Sequence, residues 1–130
     1  MNLVDSSGWL EYFMNGPLAA GYAVYLQRPK EVITPTIVLY EVYKKLKAEL
    51  DEEHALWSVA QINRTTVVPL SETLALQAAD ISLEKKLPMA DSIIYATARA
   101  YGAKLITSDA DFKGLPQVTC LEDPFRESSS

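Results

Sequence analysis

The chain has 130 residues, of which 48% are hydrophobic and 22% charged, so its composition is that of one folded globular domain and not of a disordered segment. A single cysteine, Cys120, excludes an intrachain disulfide framework, and no apolar run approaches the roughly 18 residues of a membrane span. No secretory leader is visible at the amino end, so we expect a cytoplasmic protein that does not bind membranes.

Five short apolar runs predict strands, at residues 2–5, 31–34, 65–69, 104–107 and 118–120. Helices are predicted at residues 9–13, 18–27, from 37 to beyond Leu50, and 71–86, with Leu50 and Leu83 among the inward-facing positions of the last two. Residues 51–62 either end the third of these helices or continue into a helical hairpin. A further helix begins near Pro88 and stops at Gly102, where proline and glycine are favoured.

The strands lack the alternation of polar and apolar residues that a half-exposed sheet shows. Together with the intervening helices, this predicts an α/β fold in which a parallel sheet is covered on both faces, a three-layer α/β/α sandwich. We predict one domain over residues 1–121 and a flexible tail over residues 122–130, which end in three serines.

Acidic residues follow the predicted strands at the side of the sheet where ligands bind. Asp5 ends the first strand, Asp109 follows the fourth, and Asp91 lies in the first turn of a helix. Glu41 lies about two turns into the helix that follows the second strand. Because the carboxyl ends of parallel strands meet at one edge of a sheet, we expect these four side chains to converge there, with Asp111 close by.

Such convergence requires a compensating charge, since two carboxylates about 4 Å apart repel by about 4 kcal/mol at an effective dielectric near 20. Carboxylate oxygens suit Mg²⁺ or Mn²⁺, and a zinc site is not expected because His54 and Cys120 are each alone. Taken singly, each acid has a simpler explanation, as a helix cap, a partner of the helix dipole, a surface ion pair or a solvated turn. Their joint placement favours phosphoryl chemistry.

The net charge of −5 argues at first against a nucleic-acid partner. Subtracting the five acids just named from the 17 acidic residues leaves 12, which equals the number of Lys and Arg. The remainder of the protein is then neutral, and bound divalent cations would offset the clustered charge. Net charge therefore does not decide the partner.

Three segments are more distinctive in sequence than the acids alone: residues 5–13, the helix that contains Glu41, and the run from Pro88 to Phe112. Together they resemble the PIN-domain nucleases, especially the VapC-type toxins, over residues 2 to about 121, and the last segment is the most specific. The resemblance implies a sheet of four or five strands and a Mg²⁺- or Mn²⁺-dependent endoribonuclease. It also implies a homodimer and a VapB-like antitoxin that blocks the active site.

By position, the resemblance implies that the catalytic and metal-binding residues are Asp5, Glu41, Asp91 and Asp109. Ser6 would orient Asp5 or the substrate, and Asp111 would be a peripheral acid. Candidate contacts to the RNA backbone are Lys44, Lys45, Lys47 and Arg99, although a solvated helix face accounts for these better.

Two other functions are compatible with parts of this pattern. A phosphatase or phospho-acceptor domain could use Asp5, but a haloacid-dehalogenase-type site would want a second acid where Ser7 stands. A catalytically silent PIN-like interaction module would use the same acids only as helix caps.

Overall fold

The computed structural model describes residues 1–122. Within residues 1–122 there are five strands, all parallel: β1 (Asn2–Val4), β2 (Val32–Pro35), β3 (Thr66–Val68), β4 (Lys104–Thr107) and β5 (Val118–Cys120). They form one sheet in the spatial order β3-β2-β1-β4-β5. In the centre of the sheet, Leu3 lies opposite Ile33 on one side and Leu105 on the other. The predicted parallel sheet is confirmed, and β4 and β5 have the predicted bounds.

In the described part of the chain, six helices connect and cover the sheet: α1 (Ser6–Phe13), α2 (Ala19–Leu26), α3 (Thr36–Glu49), α4 (Glu52–Ile62), α5 (Glu72–Lys85) and α6 (Met89–Ala100). Short 3₁₀ turns, Pro29–Glu31 and Ala110–Phe112, precede β2 and follow β4. Helices α1 to α4 belong to the connections from β1 through β2 to β3, and α5 and α6 belong to the return from β3 to β4. Crossovers between parallel strands are right-handed. The chain moves across the sheet in one direction from β1 to β3 and in the opposite direction from β3 to β4, so the two sets of helices cover opposite faces. The α/β/α sandwich is therefore confirmed.

The strand order reverses between the two central strands, β1 and β4. The chain leaves β1 towards β2 on one side and leaves β4 towards β5 on the other. At such a switch point the connections diverge and open a crevice at the carboxyl ends of the strands. Asp5 directly follows β1 and Asp109 follows β4 by two residues, so the topology alone brings both acids to this crevice.

The core is centred on these two strands and on α6. Leu3, Val4, Leu105 and Ile106 are fully buried, and α6 is buried over seven consecutive residues, 92–98. Strands buried on both faces and a helix buried nearly all round are close-packed on every side. The crevice therefore lies at the end of the buried core.

Two predicted inward positions are wrong. Leu50 is 50% exposed because α3 ends at Glu49 and its buried stripe consists of Val38, Val42 and Leu46. Leu83 is 82% exposed because α5 buries Leu74 and Ala78, and Leu83 lies about 140° around the helix from Ala78.

The predicted flexible tail lies outside the described residues, apart from Glu122. No helix within residues 1–122 combines the length and the hydrophobicity that crossing a membrane requires.

Candidate active site

Asp5 is the most deeply buried acid of the crevice, with 4% of its surface exposed. It caps the amino end of α1, where its Oδ1 accepts a hydrogen bond from the Gly8 backbone N–H at 2.9 Å. Its Oδ2 accepts hydrogen bonds from the Ser7 hydroxyl at 3.0 Å and from the Thr107 hydroxyl at 2.5 Å. Both carboxylate oxygens are therefore held in place by the protein.

Burial raises the pKa of the Asp5 carboxyl above its usual range, because desolvation disfavours the ionised form. The hydrogen bonds from Thr107, Gly8 and Ser7 act in the opposite direction and lower this pKa, while the nearby charge of Asp109 raises it further. Three donors for one carboxylate are what a buried anion requires, since an unpaired buried charge is strongly unfavourable.

The acidic cluster of the crevice consists of Asp91, Asp109 and Asp111, which have carboxylate oxygens within 4.8 Å of one another. Asp91 lies in the first turn of α6, and Asp109 caps the 3₁₀ turn after β4, where its Oδ1 accepts a hydrogen bond from the Asp111 backbone N–H at 2.9 Å. The Asp109 backbone N–H donates to the Thr107 hydroxyl oxygen at 3.0 Å. Thr107 thus joins Asp109 to the buried Asp5.

The five acids act on one another electrostatically, and Asp91 shows this most clearly. Partial burial first, and then the charges of Asp109, Asp111, Glu41 and Asp5, raise the pKa of Asp91 from 3.8 to about 6. The structure therefore brings Asp91 and Asp109 together with Asp111, and Asp5 and Glu41 lie near enough for their charges to act on Asp91.

Glu41 reaches the crevice from α3, where its Oε1 accepts a hydrogen bond from the Ser6 hydroxyl at 3.0 Å. This bond ties the first turn of α1 to α3. Ser6, which was expected to orient Asp5 or the substrate, therefore contacts Glu41, and the neighbouring Ser7 donates to Asp5. Adjacent residues of a helix point about 100° apart, so two consecutive serines serve two different carboxylates.

Two of the candidate RNA-contacting lysines follow Glu41 on α3. Lys45 forms an ion pair with Glu49 at 2.7 Å, one turn further along the helix. Lys44 Nζ lies 3.4 Å from the Tyr40 hydroxyl oxygen, to which it donates. Both lysines are exposed, on the part of α3 that leads away from the acidic cluster.

Arg99 is not brought to the crevice. It lies eight residues beyond Asp91 on α6, which corresponds to about 12 Å along the helix axis. Its guanidinium donates to the Gln117 side-chain oxygen at 2.8 Å, near the opposite edge of the sheet.

The family model described as PIN domain matches residues 3–117 of the chain. The chain belongs to the PIN domain family. Among curated proteins, none matches it.

The PIN domain is also similar in fold to several solved structures. A toxin–antitoxin complex from Klebsiella pneumoniae matches with a TM-score of 0.77 and 24% identity, covering 92% of this chain and 96% of that one. DNA-bound VapBC from Salmonella typhimurium matches with a TM-score of 0.71 and 18% identity, over 93% and 98% of the two chains. VapC20 from Mycobacterium tuberculosis, described as a sarcin–ricin loop cleaving toxin, matches with a TM-score of 0.69 and 18% identity, over 96% and 92%.

Two residues that position the acids of this PIN domain were not singled out in the sequence. Thr107 joins Asp5 and Asp109 through one hydroxyl, which donates to the first and accepts from the second. Ser7 supplies the other side-chain donor to Asp5. A hydroxyl residue at the last position of β4, two before Asp109, was the available signal for Thr107.

The donor set of the acidic cluster consists of carboxylate oxygens alone. Hard oxygen donors suit a divalent cation such as Mg²⁺ or Mn²⁺, and a bound cation would relieve the repulsion that raises the pKa of Asp91. Asp91 and Asp109 have hydrogen-bonding capacity left at the crevice and are its half-buried members. The chemistry of these residues therefore fits a metal site.

Proposed function

We propose that this PIN domain is a divalent-cation-dependent endoribonuclease and the toxin of a toxin–antitoxin pair. The observation that carries the proposal is the convergence of Asp91, Asp109 and Asp111 within 4.8 Å, beside the buried Asp5 at the switch point of the sheet. An uncompensated cluster of this kind destabilises the fold, so its charges are better explained by a bound cation than by a structural role.

Asp5, Glu41, Asp91 and Asp109 are the proposed catalytic and metal-binding residues. When bound, Mg²⁺ or Mn²⁺ would supply positive charge and an activated water for attack on a phosphodiester. The products would carry a 5′-phosphate and a 3′-hydroxyl, because the 3′ oxygen is the leaving group. Asp111 would lie at the rim of this set, where its exposure leaves it in contact with solvent.

The protein residues contribute fixed geometry. Asp5 is held by three hydrogen bonds and cannot rotate without breaking them. Glu41 has one oxygen engaged by Ser6, which leaves the other free to accept from water or substrate. Preorganised charges of this kind need no rearrangement when the reaction occurs, which is the largest single source of catalysis in many enzymes.

The protonation of Asp91 can change near neutral pH. Its pKa of about 6 means that it is mostly ionised at pH 7 and can orient a water or accept a proton in that range. A cation would lower this pKa again by favouring the charged form.

Three further statements rest on similarity. One structural neighbour is described as a sarcin–ricin loop cleaving toxin, which supports RNA as the substrate. Two others are toxin–antitoxin assemblies, one of them named VapBC, which supports a VapB-like antitoxin as the partner. Homodimerisation and a cytoplasmic location are proposed from the resemblance to VapC-type toxins. Exposed apolar side chains on α5, such as Leu76 and Leu83, support the homodimer because such side chains are common at protein interfaces.

The test is cleavage of RNA by purified protein with Mn²⁺, compared with the same protein in chelator. We expect cleavage with Mn²⁺ only, and loss of cleavage on Asp91→Asn or Asp109→Asn. The matched control is Asp80→Asn, which removes an exposed acid from α5 and should leave cleavage unchanged. Sequencing the RNA ends after induced expression would identify the target.

The opposite result is equally clear. Intact RNA in the presence of Mn²⁺, with growth unaffected by expression, would refute the toxin proposal. Sedimentation of the purified protein tests the homodimer separately.

A further inference from the structure

One face of α3 carries two tyrosines and two lysines, Tyr40, Tyr43, Lys44 and Lys47, which we call the tyrosine–lysine strip. Their spacing of three and four residues places them on one side of the helix. Lys44 Nζ lies 5.5 Å from the centroid of the Tyr40 ring, and Lys47 Nζ lies 5.4 Å from that of the Tyr43 ring. With Ala48, these side chains line a surface cavity of about 470 Å³.

The strip is a locally positive and aromatic surface on a protein with a net charge of −5. Tyr40 is 57% exposed. Lys47 is 3.5 Å from the Glu52 carboxylate, whereas Lys44 forms no salt bridge with any residue within 1–122. An exposed ring beside a cation without a carboxylate partner among the described residues, as at Tyr40 and Lys44, is the combination that binds single-stranded nucleic acid, because a base stacks on the ring and a phosphate pairs with the cation.

We propose that the tyrosine–lysine strip binds an unpaired segment of RNA and holds it beside the active site, an inference that rests on the proposed ribonuclease function. Lys44 lies three residues after Glu41 on α3, which makes the two side chains neighbours on the helix surface, so the strip borders the crevice. From Tyr40 to Lys47 the helix rises about 10 Å, which matches about three stacked nucleotides. Bases in a duplex are already stacked and paired, so the strip would select unpaired RNA.

Charge complementarity favours RNA over a second copy of the chain. In a two-fold symmetric interface centred on the strip, Lys44 and Lys47 would face the same two lysines of the other copy, and like charges placed together are unfavourable. An RNA phosphate provides the countercharge. Lys44 now donates a hydrogen bond to the Tyr40 hydroxyl oxygen at 3.4 Å. On RNA binding it would donate to the phosphate instead, so its ammonium group would remain paired.

The experiment measures binding without cleavage. A short fluorescent RNA of mixed sequence, single-stranded or annealed to its complement, is titrated with full-length protein in chelator, and its anisotropy is recorded at several salt concentrations. Tyr40→Leu should weaken single-strand binding by about fivefold to 100-fold, and Tyr40→Phe should restore it because the ring is retained. Lys44→Ala should reduce the slope of log affinity against log salt by about 0.7.

Tyr101→Leu is the matched control, since Tyr101 is similarly exposed, at 52%, but follows the far end of α6. It should bind RNA as the wild type does. Cleavage with Mn²⁺ is measured in parallel. If RNA is cleaved but Tyr40→Leu binds as tightly as the wild type, the strip is wrong and the nuclease proposal stands.

Two other results would overturn the inference. The first is equal affinity for the annealed and the single-stranded RNA. The second is a change in sedimentation of Tyr40→Leu from dimer to monomer with no change in RNA affinity, which would assign the strip to an interface between copies. Binding that depends on Tyr40 in a protein that never cleaves would support the strip and refute the nuclease.

Discussion

The acidic cluster should make the metal-free protein less stable at neutral pH than at acidic pH, and Asp91→Asn should remove part of that loss. The pKa of Asp91 is raised from 3.8 to about 6, so the folded protein holds this proton more tightly than the unfolded chain. Stability from this group is therefore lost as the pH rises from about 4 to about 6, and no further change follows above that range.

The magnitude follows from the same shift. About two pKa units correspond to at most about 3 kcal/mol at 1.36 kcal/mol per unit. The side chain is only partly buried, so solvent screening reduces this to about 1 kcal/mol. The Asp91 carboxylate accepts no hydrogen bond from the described residues, and its interaction with the α6 dipole offsets a few tenths of a kcal/mol. We expect Asp91→Asn to be more stable than wild type by about 0.5–1 kcal/mol above pH 7 in chelator.

The assay is urea unfolding of both proteins across pH 3.5–8, in chelator and with Mn²⁺. The difference in unfolding free energy should vanish near pH 3.5 and grow between pH 4 and 6. Mn²⁺ should raise the stability of the wild type and not of the variant, because only the folded wild type binds it. Asp80→Asn should track the wild type throughout. A variant that is less stable at pH 7, or a pH-independent difference, would refute the electrostatic reasoning.

The remaining predictions concern the residues that position the acids. Gly8→Ala places its Cβ 2.5 Å from Tyr22 Cε1 and should destabilise the fold by about 1–3 kcal/mol in thermal unfolding. The control Gly21→Ala, whose Cβ has its nearest contact at 3.4 Å, should be neutral or stabilising. Equal effects of the two substitutions would contradict the packing argument. Thr107→Val removes the hydroxyl shared by the two aspartates of the crevice that it joins; it should lower the free energy of unfolding by about 1–3 kcal/mol and reduce the stabilisation by Mn²⁺. The control Thr97→Val removes a buried hydroxyl that bonds within its own helix, and it should leave the stabilisation by Mn²⁺ intact.

Asp5 and Asp91 show how one crevice treats two carboxylates differently. Asp5 is buried and receives three hydrogen bonds, so Asp5→Asn would replace an acceptor by a donor that faces the hydroxyls of Ser7 and Thr107. Asp91 receives none from the described residues, so its charge alone is removed by substitution. Relief of repulsion is therefore measurable at Asp91 and is masked by lost hydrogen bonds at Asp5.

Many of the strands and helices were predictable because the sequence patterns that determine them are local. β4 and β5 occur at their predicted bounds, since short apolar runs between turn residues leave little choice of secondary structure. Pro88 and Gly102 bracket α6 as expected, with Gly102 at a φ of 61°. An acid directly after an apolar strand, as at Asp5, lies at the carboxyl end of a parallel sheet, so convergence of the acids also follows from local order.

What the tertiary structure decided is which neighbour each side chain meets. Ser6 and Ser7 are equivalent in sequence, and only the rotation of α1 against α3 and β4 sends one to Glu41 and the other to Asp5. The 3₁₀ turn capped by Asp109 brings Asp111 into the acidic cluster, and Leu83 faces solvent because α5 packs through Ala78. The sequence pattern by itself determined that acidic residues gather at the carboxyl end of the sheet. The packing angles of the helices depend on contacts distant in sequence, and they determined which hydrogen-bond partner each acid has.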